Sequence, residues 1–143
     1  MSDLDIAKTE LYEENLTIAI VKDGRVLYST KSHSVSGLLD AIDQLGSQLE
    51  GASVADRVTG KAIALLCAYA RMREVYAAVL SRKGQAVFKQ NGIPCQWREL
   101  VNNILDADKT SLCPFEKTAT GISDPEKAYR AFKALQQSLS ARK

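Results

Sequence analysis

Two short stretches of this chain carry the residues that could do chemistry. The first is Ser53-Val54-Ala55-Asp56 with Gly60-Lys61 close behind, and the second is Cys113-Pro114-Phe115-Glu116. Asp56 and Glu116 offer carboxylates for general acid or base work, and Cys113 offers a thiol nucleophile. Lys61 offers a cation for a phosphate or carboxylate of a ligand. Pro114 suits the first position of a helix, which makes Cys113 the N-cap and Glu116 the third helical residue. A thiol at a helix start feels the positive end of the dipole, which favours the thiolate. Capping alone also accounts for Pro114 and Glu116, so both readings stand at this point.

Ser53 and Asp56 have the spacing of a capping box at the start of a helix. In one reading the Asp56 carboxylate serves the free N–H groups of that helix. In the other it points into a pocket as a base or ligand contact. Gly60 lies one turn further along the same face, as close packing or as room for a ligand. Lys61 is either a solvated amine or an anion contact. With Ser53 these form the candidate ligand-binding set. The Gly-Lys pair is not a phosphate loop by itself, because Gly51 and Gly60 are too far apart for that motif.

The only histidine, His33, sits in Lys-Ser-His-Ser and reads as a solvated loop residue. Zinc sites need several Cys or His ligands at close spacing, and no such pair exists here. Trp97 and Tyr69 could stack on a ring of a ligand or fill a core or interface.

The elements that must position these groups follow from periodicity and turn chemistry. Ser2 or Asp3 caps a first helix to about Glu14, with Leu4, Ala7 and Leu11 on one face. Leu16 to Val21 and Val26 to Thr30 read as strands around the Asp23-Gly24 hairpin signal. A short amphipathic helix follows from Ser34 or Ser36, with Leu38, Leu39, Ile42 and Leu45 inward. The helix from Ser53 is apolar all round from Ala62 to Ala70 and is therefore buried. Val75 to Leu80 is a strand buried on both faces. Ser81 to Asn91 is a helix, Ile93 to Val101 a strand, and Asn102 to Leu112 a surface loop. Two last helices open at Pro114 and Pro125, the second with Tyr129, Phe132, Leu135 and Leu139 inward. This order predicts a mixed sheet of four or five strands with helices on its faces, in one domain over residues 1–143.

The chain of 143 residues carries 19 Lys and Arg against 17 Asp and Glu, a net charge of +2. Acids and bases are interleaved, so no basic stripe points to nucleic acid. No apolar run reaches membrane-spanning length, and the acidic start does not read as a signal peptide. Cys67, Cys95 and Cys113 read as free thiols of a reducing cytoplasm. Cys67, on the apolar helix, reads as a small buried residue.

Gly51 to Asp56, Gly60-Lys61-Ala62 and Cys113 to Glu116 together resemble a family of small prokaryotic proteins with a cytidine deaminase-like fold and no assigned function. That resemblance implies a three-layer sandwich with helices on both faces of the sheet. In zinc deaminases, His (or Cys)-x-Glu opens the buried helix after the hairpin, and Cys-x-x-Cys opens the helix after the third strand. Here the first place is read as Val54, Ala55 and Asp56 and the second as Ser81 to Gly84, with no ligand in either. The resemblance thus implies the fold and a pocket without its metal or another cofactor.

The expected function is a zinc-free pocket for a small nucleoside- or nucleotide-like ligand, with Asp56, Cys113 and Glu116 as candidate catalytic groups. The alternative is a non-catalytic ligand-binding or regulatory module, or a structural one. The all-round apolar helix predicts a homodimer. Cys113 is expected to be the most reactive of the three thiols.

Overall fold

Short-range signals set the first half of the chain. In the computed structural model, which describes residues 1–105 and 113–141, helix α1 spans Asp3–Glu13. Ser2 caps it in a full capping box with Asp5. Strands β1 (Ile18–Lys22) and β2 (Arg25–Thr30) form the expected hairpin. Asp23 and Gly24 both adopt positive φ (53° and 78°), as a tight turn of this hand requires. Asp3 of α1 accepts hydrogen bonds from both turn amides, at 3.0 and 2.8 Å, and so fastens the hairpin to the helix. Helix α2 follows at Ser34–Leu45.

The next element departs from expectation. Ser53–Thr59 is strand β3, and the buried helix α3 runs only over Lys61–Tyr69. The capping-box reading of Ser53 and Asp56 is therefore corrected: neither lies in a helix. Val54, Val58 and Thr59 favour extended backbone. The decisive cause is tertiary, because β3 is the central strand, antiparallel to β1 and parallel to β4. A strand buried on both faces loses the alternation that would reveal it. The Ser53 hydroxyl bonds the Glu74 carboxylate at 2.6 Å instead of a helix end.

Strand β4 (Glu74–Ser81), helix α4 (Arg82–Gln90) and strand β5 (Cys95–Val101) complete a mixed five-stranded sheet in the order β2-β1-β3-β4-β5. Helices α5 (Pro114–Ala119) and α6 (Pro125–Ala141) follow. The expected loop over Asn102 to Leu112 lies outside the described residues from 106 onward.

The strands alternate between two cores. Ile18, Ile20, Val54, Val75 and Ala77 meet α2, α3, α4, α5 and α6. Ala19, Val21, Ala55, Tyr76 and Ala78 meet α1 through Leu4, Ala7 and Leu11. The result is a three-layer α/β sandwich. Helix α3 packs among α2, α4, α5 and α6, and Ala62 to Cys67 are buried. Its apolar circumference is thus covered within one chain, and the expected homodimer is not required by it. No helix among the described residues is long and apolar enough to cross a membrane.

Candidate functional site

The parallel strands β3 and β4 end side by side, and α3 and α4 begin there. This is where ligands bind in open α/β sheets, beyond the carboxyl ends of the strands. The first turn of a helix leaves N–H groups without partners. At α4 the chain answers locally: the Ser81 hydroxyl caps the helix, accepting from the Gly84 amide at 3.0 Å. At α3 the N-cap is Gly60, which has no side chain to offer.

Glu116 supplies the missing cap from α5. Its carboxylate accepts from the Ala62 amide at 2.7 Å and from the Lys61 amide at 3.2 Å. Gly60 makes this possible. A Cβ there would fall within 3.0 Å of all three carboxyl atoms of Glu116. Gly84 is small for a related reason, since its Cβ would approach the Gly60 carbonyl oxygen to 3.0 Å. Of the two readings of Gly60, the space is real and a carboxylate of the same chain fills it. Glu116 does not cap its own helix, as its position after Pro114 suggested.

Glu116 stands between two clefts. The first, of about 360 Å³, is lined by Lys61, Ser81, Lys83, Asn102 and Asn103, with Ala86 and Val87 as apolar wall. The second, of about 480 Å³, holds Cys113, His33, Ser34 and Arg57 among apolar residues. The Cys113 sulfur lies 3.9 Å from His33 Nε2. The imidazole also stacks at a tilt on Phe115, with ring centres 5.6 Å apart. Partial desolvation against Phe115 and Cys113 lowers the pKa of the otherwise exposed His33 from its ordinary value, which favours the neutral ring.

Asp56 lines neither cleft. It is fully buried in β3, bonded by Ser34 Oγ and Thr59 Oγ1, each at 2.8 Å. Loss of water outweighs these bonds and pushes its pKa up to about 7. Ser34 opens α2 directly after its N-cap, His33, so Asp56 braces the segment that presents the imidazole.

The structure therefore sets Gly60, Lys61 and Cys113 around Glu116, with Lys61 in the first cleft and Cys113 in the second, and leaves Asp56 buried outside both. Ser53 lies at the far end of β3. Lys83, Asn102 and Asn103 join the site although sequence reasoning passed them over, and so does His33, which reads in the sequence as a solvated loop residue and is exposed. His33 is 80 residues from Cys113, and no local pattern links them. Tyr69 stacks on Tyr129 at 4.4 Å, while Trp97 lies partly exposed on the edge strand β5.

The positions that hold metal ligands in zinc deaminases can now be read from the helix starts. By chain order the helix after the hairpin is α2, which starts at His33, Ser34 and Val35. The helix after the third strand is α3, which starts at Gly60, Lys61 and Ala62. Both readings, Val54 to Asp56 and Ser81 to Gly84, are therefore corrected. Of these residues only His33 is a possible metal ligand. Cys113 and His33 make two donors, where a zinc site takes at least three from the protein. Among the described residues no group of three metal-binding side chains occurs. The donor set does not fit zinc.

A family model described as a domain of unknown function (DUF1893) matches residues 6–135. A DUF1893 family protein from Thermotoga maritima has a similar solved structure, with TM-score 0.85 and 24% identity, over 94% of this chain and 90% of that one. A diaminohydroxyphosphoribosylaminopyrimidine deaminase/5-amino-6-(5-phosphoribosylamino)uracil reductase from Thermotoga maritima is similar at TM-score 0.50 and 18% identity. That match covers 80% of this chain but only 39% of the enzyme. No curated protein is significantly similar to the chain.

Proposed function

The chain belongs to the DUF1893 family, a domain of unknown function with a deaminase-like fold, and from that premise we propose that it is a zinc-free domain binding a small anionic, nucleotide-like ligand. The observation that carries this reading is the cleft of about 360 Å³ in which Lys61 and Lys83 stand near Asn102 and Asn103. Two ammonium groups supply charge for a phosphate. Two amides offer both donors and acceptors for the edge of a base or a sugar. Ala86 and Val87 give a wall on which an apolar ring face can rest. Most small-molecule sites combine such a wall with a few placed polar groups. The position of the cleft, beyond the carboxyl ends of β4 and β5, supports the same reading.

On this reading Glu116 takes over at the start of α3 in place of a metal site. Its carboxylate occupies the first N–H groups of α3, so that helix start is satisfied by the chain itself. Ligand anions are left to the lysines of the neighbouring cleft. The nucleotide part of the proposal draws on the deaminase-like fold, and the anionic part on this chain's own lysines.

Calorimetric titration with nucleoside monophosphates and the matching nucleosides tests the reading. The monophosphate should bind more tightly than the nucleoside. Replacing Lys83 with Gln should weaken it roughly tenfold or more, since a hydrogen bond to a charged group contributes ~1.5–3 kcal/mol. Equal binding of both ligands, or an unchanged affinity in Lys83→Gln, would remove the anionic assignment.

A further inference from the structure

The second cleft has a chemistry that the first lacks. It brings the chain's only histidine to a thiol, Cys113, which is 8% exposed and borders a space of about 480 Å³. We propose that Cys113 and His33 form a nucleophile–base pair that is acylated by an uncharged ester or thioester. This concerns the other cleft and does not rest on the nucleotide-like reading.

Three observations support the pair. A sulfur to nitrogen distance of 3.9 Å is within reach of a hydrogen bond to sulfur, and catalytic contacts of this kind are commonly longer in the unliganded protein than with substrate bound. The imidazole is held by its stacking on Phe115, and its segment is braced through Ser34 by Asp56. The walls are apolar, with Val35, Val58, Ile63, Ile104 and Leu105 facing the space.

The acyl group is expected to be uncharged because of the two ionic residues in the cleft. Glu116 presents a carboxylate, which repels an anion. Arg57 does not compensate, because its guanidinium donates to the Leu16 and Leu11 carbonyls, at 2.8 and 3.1 Å, and lies over the Tyr12 ring.

The steps balance as follows. His33 Nε2 takes the Cys113 thiol proton as the sulfur attacks the acyl carbonyl carbon. The carbon–oxygen bond to the leaving alcohol breaks, and His33 returns the proton to that oxygen. A thioester remains on Cys113. Water then attacks it, giving a proton to His33, and the released sulfur regains a proton as the carboxylic acid departs.

The full-length protein is incubated with p-nitrophenyl butyrate and followed by intact mass and peptide mapping. Cys113 should acylate at least roughly tenfold faster than Cys95, whose thiol pKa is raised by burial. His33→Asn should slow acylation by about 100-fold, as loss of a general base does. His33→Gln serves as a second variant, with folding of each checked by circular dichroism. Cys95→Ser should leave the Cys113 rate unchanged. An ester whose acyl group bears a carboxylate should react more slowly. Equal rates at Cys113 and Cys95, an unchanged rate in a folded His33 variant, or faster reaction of the charged ester would overturn the proposal.

Discussion

Asp56 is a carboxyl group enclosed by protein, and that fact gives it a measurable signature. Its pKa rises to about 7 because burial penalises the charge more than the hydroxyls of Ser34 and Thr59 stabilise it. In the unfolded chain it titrates near the ordinary carboxylate value. Between those two values the folded state holds more protons than the unfolded state, so stability falls as pH rises. The contribution of Asp56 is fully present below about pH 4 and is lost by about pH 7, a change on the order of 4 kcal/mol. Chemical denaturation across that range should show this fall, and Asp56→Asn should flatten it. A slope unchanged by that substitution would mean that Asp56 is not buried as described. At this scale the sequence was partly legible. Pro114 singled out Cys113 and Glu116 through local helix chemistry. His33 reads in the sequence as a solvated loop residue and is indeed exposed, but its nearness to Cys113 was not legible, because it arises only where the start of α2 meets the start of α5.

Among the elements, the contact between α3 and α5 decides the geometry of the site. Helix α3 begins with a glycine that cannot cap it, and α5 reaches across with Glu116. Removing the carboxylate in Glu116→Ala should cost ~1–3 kcal/mol, the usual loss for stranding buried N–H donors. Gly60→Ala should cost a similar ~1–3 kcal/mol, because its methyl group enters the carboxylate's space. The two are coupled. In the Glu116→Ala background that space is open, and the Gly60 substitution should cost far less. A double-mutant cycle in urea measures this, and simple additivity would contradict the capping assignment. The hairpin, α1, α2, α4 and the closing helices were readable from turn residues and apolar spacing. Strand β3 was not. Its Ser-x-x-Asp spacing gave a local helix signal, and pairing with β1 and β4 overrode it.

For the molecule as a whole, the fold is deaminase-like, and of the two helix starts one carries a histidine and the other a glycine. The apolar character of α3 was legible and correctly implied burial, but its partners are α2, α4, α5 and α6 of the same chain. The places of the two helix starts were not legible, since they lie at His33 and at Gly60 and not at Val54 to Asp56 and Ser81 to Gly84, and His33 with Cys113 makes only two donors. Protein purified without chelator should therefore contain no stoichiometric zinc by elemental analysis. One zinc per chain would show that other donors assemble a site.

The central claim is that a ligand's anionic group binds beside Lys61 and Lys83, in the cleft that Glu116 borders. An amide-resolved NMR titration with a nucleoside monophosphate tests it most directly. The predicted result is saturable shifts concentrated at Lys83, Asn102, Asn103 and Gly121, which line that cleft, with little change at the hairpin turn of Asp23 and Gly24. Shifts that are absent, or that centre on residues away from this cleft, would contradict the account.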